Sequence, residues 1–120
     1  MLLNSSIFRE YDIRGIYPDE LNEETAYKIG RAFVIYLKEN DSTYSKIAIG
    51  HDARISSPVL KKSFIEGARD GGIDVLDIGL ATVDMVYFAS GYFHLPAVII
   101  TASHNSKDWN GFKLMKNDVD

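Results

Sequence analysis

The sequence predicts an α/β fold, a three-layer sandwich around a mostly parallel four-stranded sheet whose last strand runs antiparallel. Three observations carry this. Short apolar runs alternate with stretches whose apolar residues recur every three or four positions. The most apolar run, Ala97–Thr101, is largely β-branched, which suits a strand covered on both faces. The final strand follows a short polar loop with no helix signal, so it returns antiparallel to its predecessor.

Taken in order, Met1–Ser6 reads as a poorly ordered tail, and Ile7–Gly15 as an extended run ending in glycine. Asn22 is placed to cap a helix, with Glu23 and Glu24 in its first turn and Leu21 and Ala26 as a weak hydrophobic staple. Ile29, Phe33 and Leu37 give that helix one apolar stripe, and Asn40-Asp41-Ser42 closes it. Lys46–Gly50 is a strand. Ser57-Pro58 then reads as an N-cap followed by proline at the first helical position. Leu60, Phe64 and Ala68 form the next stripe, and Gly71-Gly72 stops the helix. Ile73–Ile78 is a strand, and Thr82 opens a third helix that runs to about Tyr92. Tyr87, Phe88, Tyr92 and Phe93 read as packing aromatics, and His94 as a turn residue. A polar loop from Ala102 to Gly111 separates the strand Ala97–Thr101 from a last strand, Phe112–Met115. The element order is β-α-β-α-β-α-β-β.

The 120 residues suffice for one domain with one core. A net charge of -4 argues against nucleic acid or an anionic membrane as the main partner. The absence of cysteine excludes a disulfide framework and thiolate metal sites, and fits a cytoplasmic protein. Met1-Leu2-Leu3 lacks the basic flank of a signal peptide, and no apolar run approaches a membrane span. His51 and His104 have no metal-ligand spacing with carboxylates, so zinc is not expected.

In sheets of this kind, sites form at the carboxyl ends of strands. Three loops qualify, after Arg14, after Gly50 and after Thr101. The third is the richest in chemistry, with Ser103, His104, Asn105, Lys107, Asn110 and Lys113 close together. Polar groups at a strand end can cradle an anion, and a serine there can accept a phosphoryl group whose charge lysine offsets. By itself this does not separate a site from a solvated connection. Nor do Ser103 and His104 make a triad, because neighbours on an extended segment point to opposite faces.

Thr101-Ala102-Ser103-His104-Asn105, followed by Asn110-Gly111-Phe112-Lys113, resembles the phosphoserine loop of the α-D-phosphohexomutases, the phosphoglucomutase/phosphomannomutase family. Phe8–Gly15 is similar to that family's opening signature, and Gly50-His51-Asp52-Ala53-Arg54 to its Gly-x-Asp-x-Arg segment. The three stand in family order and at family spacing, over essentially the whole chain. The resemblance implies that Ser103 bears the catalytic phosphate and that His104 and Asn105 help to hold it. It implies proton transfer at Lys113, and active-site roles for Tyr11 and Arg14. Asn110 and Arg54 are expected to bind substrate or phosphate; for Arg54 and Asp52 a structural ion pair or loop anchor is an equal reading. Two positions depart from the family pattern. Ser106 stands where proline is usual, and Ala81-Thr82-Val83 lacks the proline that often opens the third helix.

The implied reaction moves a phosphoryl group between the 1 and 6 positions of a hexose phosphate, through phosphoserine and a hexose 1,6-bisphosphate. The implied cofactor is Mg2+, with the phosphate on Ser103 as one ligand and the others on an Asp-x-Asp-x-Asp-Arg loop that this sequence does not contain. Residues 1–120 are therefore expected to be domain I, carrying the phosphoserine loop, with little turnover alone. Its expected partners are hexose phosphate and the later domains of its own enzyme, and on its own it would tend to self-associate. The alternative is a non-catalytic phosphate-binding or interaction module.

Overall fold

The structure, a computed structural model, describes residues 12–40, 45–101 and 108–115. The expected tail, the first part of the opening run and the helix stop at Asp41-Ser42 lie outside these residues. The elements are β1 (Asp12–Ile16), α1 (Glu23–Asn40), β2 (Lys46–His51), α2 (Ser57–Asp70), β3 (Asp74–Leu80), α3 (Val83–Phe93), β4 (Ala97–Ile100) and β5 (Trp109–Met115).

Among the described residues the sheet has five strands in the order β1-β5-β4-β2-β3, one more than the four expected. The fifth is the opening run, read from the sequence as extended, which joins the sheet by pairing antiparallel with β5 at its edge. β4 also pairs antiparallel with β5, whereas β2 pairs parallel with β3 and β4. Only the last strand is therefore reversed. β5 begins at Trp109 and not at Phe112, because Trp109, Asn110 and Gly111 pair with Ile16, Gly15 and Arg14. Pairing with β1, which no local pattern announces, lengthens β5 beyond its contact with β4.

Alternation along the strands builds the two cores. Ile47, Ile49, Val98, Ile100, Phe112 and Leu114 meet α1 and α2 on one face. Ala48, Ala97 and Ile99 meet Val86 and Ala81 on the other. All four residues of β4 are buried, as a strand covered on both faces requires. Asn22 caps α1 by accepting from the Thr25 N–H at 3.0 Å, and Ile29, Phe33 and Leu37 are buried. Thr82 caps α3 by accepting from the Met85 N–H at 3.1 Å, so the missing proline does not displace that helix start. His94 closes α3 in the left-handed region.

Two further expectations fail. Ser57 is the first residue of α2 and not its cap; Ser56 holds that position without a side-chain cap bond. The α3 aromatics do not pack into the domain. Val86 and Ala89 take the sheet-facing side, while Phe88, Tyr92 and Phe93 are 69%, 67% and 51% exposed and stack on one another. The small side chains Ala48 and Ala97 let α3 sit close through its own small residues, which turns the large ones outward.

Candidate active site

The chain steps outward from β2 to β3, then returns across β2 to β4. Such a reversal leaves a crevice at the carboxyl ends of the central strands. The segment after β2 occupies it. The Asp52 N–H donates to the Ile100 carbonyl at 3.0 Å, which fixes the segment against the end of β4.

Asp52 is the hub. Its carboxylate accepts from the Arg54 N–H at 3.1 Å, from Arg54 Nε at 3.2 Å and from the Ser57 hydroxyl at 2.6 Å. The Thr101 hydroxyl also donates to it. Burial pushes this carboxyl up, but the hydrogen bonds from Ser57, Thr101 and the Arg54 backbone, with the guanidinium charge, hold it below the usual range. Of the two readings of Asp52 and Arg54, the ion pair is present, at 3.2 Å. Arg54 reaches further, donating through Nη1 to the Trp109 carbonyl at 3.2 Å.

Asn110 is fully buried. Its Nδ2 donates to the Ser56 and Ser57 hydroxyls at 2.7 and 2.9 Å, and its Oδ1 accepts from the Gly111 N–H at 2.8 Å. Gly111 itself permits the close approach of β1, since a Cβ there would lie 2.3 Å from the Ile13 carbonyl oxygen. On the opening side, the Tyr17 N–H donates to the Asp108 carbonyl at 2.9 Å.

Phe112 and Leu114 face α1 and α2, so Lys113 faces the α3 side, with Nζ 6.0 Å from the centre of the Tyr87 ring. Arg14 pairs with Gly111 and Asp12 with Lys113, and Ile13 packs toward the α1–α2 core. Arg14 and Lys113 therefore share one face of the β1–β5 ladder, and Arg14 is exposed. Ser103, His104, Asn105 and Tyr11 lie outside the described residues, as does Ser106. Arg54 and Asn110 thus meet at the far stem of the serine loop, while Arg14 and Lys113 share the opposite, α3-side face of the β1–β5 ladder.

Sequence reasoning placed Thr101 in the serine motif without a role and read Ser57 as a helix cap. Their hydroxyls matter only because Asp52 is near, and nothing in their local pattern shows that. His51 lies beside the site. Burial, then Lys61, pushes its imidazole down against the opposing pull of Asp77 and Asp52, and its Nδ1 is buried without a hydrogen-bond partner. Among the described residues no three His, Asp or Glu side chains gather to hold a metal ion.

Residues 5–119 match the family model described as phosphoglucomutase/phosphomannomutase, alpha/beta/alpha domain I. The chain belongs to the phosphoglucomutase/phosphomannomutase family. It is 44% identical over 116 residues to a phosphomannomutase of Salmonella montevideo, covering 94% of this chain and 24% of that protein. A Klebsiella pneumoniae phosphomannomutase is 44% identical over 115 residues, covering 93% of this chain and 69% of that protein. A solved family member from Burkholderia thailandensis superposes with a TM-score of 0.82 at 31% identity, over 97% of this chain and 27% of that one. The chain thus spans about a quarter of the length of most of these relatives, as in the Salmonella protein at 24%.

Proposed function

We propose that this chain is the phosphoserine-bearing domain I of a phosphohexomutase, an isomerase that moves a phosphoryl group between the 1 and 6 positions of a hexose phosphate. The observation that carries this reading is the meeting of the motif segments at one end of the sheet. Arg54 of the second motif bonds the Trp109 carbonyl on the serine loop's far stem, and β1 of the first motif pairs with that same stem.

In this reading Ser103 Oγ carries the phosphoryl group. Its O–P bond breaks as a sugar hydroxyl oxygen forms the new one, giving a hexose 1,6-bisphosphate. The bisphosphate reorients and returns its other phosphoryl group to Ser103. Lys113 holds or moves the proton of the reacting hydroxyl, and Arg14, on the same face, offsets anionic charge. Tyr11, His104 and Asn105 complete the surroundings of the phosphate. Mg2+ would supply further positive charge when bound. The described residues form no site for it, and in this reading its protein ligands belong to a later part of the enzyme.

The chain alone is expected to show little turnover, with hexose phosphate and the remainder of its own enzyme as partners and the cytoplasm as its compartment. Among the described residues no helix is long and apolar enough to cross a membrane. The test is Ser103→Ala in the full-length protein, with turnover followed by a coupled assay. Transfer should vanish while simple anion binding survives. Retained transfer would exclude Ser103 as carrier, and robust metal-dependent turnover by the 120-residue chain would overturn the reading of it as a fragment with little activity alone.

A further inference from the structure

We propose that Ser57 is a positioning residue for phosphoryl transfer, acting with Asp52 and Asn110 to hold both stems of the segment that carries Ser103. This rests on the reading of Ser103 as the phosphoryl carrier. The near stem ends at Thr101, whose hydroxyl donates to Asp52 and whose N–H donates to the Gly111 carbonyl at 2.9 Å. The far stem begins at Trp109 and Asn110. Asn110 donates to Ser57 at 2.9 Å, and Ser57 donates in turn to Asp52 at 2.6 Å. One hydroxyl thus joins the two stems through a chain of hydrogen bonds.

The chemistry of each link fixes its direction. Asp52 is ionised and can only accept, so Ser57 must donate to it. That leaves the Ser57 oxygen lone pairs for the Asn110 amide. Ser57 and Asn110 are both fully buried, so water cannot replace a lost partner without a cavity. The side chains sit on the first turn of α2 and on paired strand, which hold a site more tightly than loops do. A capping serine would have aimed its hydroxyl at its own helix; this one is aimed at the carboxylate beside the serine loop.

Transfer requires the acceptor to be aligned to within about an ångström, and a displacement of that size can cost on the order of a hundredfold in rate. The experiment uses the full-length protein as wild type, Ser57→Ala, Ser57→Thr and Thr101→Val. The last variant keeps its shape and loses only the hydroxyl that reaches Asp52. Each is assayed for kcat and KM below its unfolding midpoint. The expected result is a fall in kcat of about tenfold or more for Ser57→Ala and Thr101→Val, with KM within about twofold and most of kcat restored in Ser57→Thr. A purely structural role would lower the unfolding midpoint and leave kcat per folded molecule unchanged. If either hydroxyl-deleted variant folds and keeps wild-type kcat, the proposal is overturned while the carrier reading stands. An inactive wild type would overturn the carrier reading and this inference with it.

Discussion

Asp52 keeps its charge in a half-buried position because donors from Arg54, Ser57 and Thr101 surround it. Its carboxyl is held below the unfolded value, so the stabilisation it gives is full above about pH 4 and is lost as pH falls through the folded value. Chemical denaturation between pH 7 and pH 3 should show this loss, and Asp52→Asn should flatten the acid limb while lowering stability at pH 7. An unchanged acid limb would remove Asp52 from its place as hub. His51 carries the opposite charge but titrates in the same sense. Its folded value is lowered, so the neutral ring is favoured and stability falls as pH drops below about 6.5. An NMR titration should place His51 below the ordinary histidine value; a midpoint at or above it would contradict the buried, unpartnered Nδ1. The Gly-x-Asp-x-Arg residues were legible as a pair. Their partners were not, since a hydrogen bond from Asn110 to Ser57 spans 53 residues of sequence.

At the scale of elements, α1 and α2 cross with almost no side chain between them. A Cβ on Gly30 would lie 2.3 Å from the Phe64 carbonyl oxygen, and one on Gly67 would lie 2.1 Å from that of Tyr27. Gly67→Ala should therefore destabilise the domain by about 1–3 kcal/mol, read by thermal unfolding, although alanine is the better helix former. A neutral or stabilising effect would mean that the helices do not approach so closely. The apolar stripe and N-cap of α1 were legible because they are local: Asn22 caps the helix, and Ile29, Phe33 and Leu37 are buried as their spacing says. The role of α3 was not. Its aromatics satisfy the same pattern as a packed helix, and only the assembled sheet shows that Phe88 and Tyr92 face outward. An apolar face of this kind predicts concentration-dependent self-association of the chain alone, checked by sedimentation velocity, with Phe88→Glu shifting it toward monomer.

At the scale of the molecule, the sheet order was less legible than its elements. The antiparallel return of β5 followed from a short loop, whereas the pairing of β1 with β5 joins segments almost a hundred residues apart and leaves no local trace. That pairing brings Arg14 onto the face that holds Lys113. The proposal that Ser103 reacts, and the reaction proposed for it, rest on the family resemblance and not on geometry. The proposed reaction depends on Ser103 carrying the phosphoryl group. Its most direct test is the intact mass of the full-length protein before and after incubation with a hexose 1,6-bisphosphate and Mg2+. A carrier serine at position 103 should gain one phosphoryl group, mapped to Ser103 and absent from Ser103→Ala; no gain, or a gain at another residue, would rule it out.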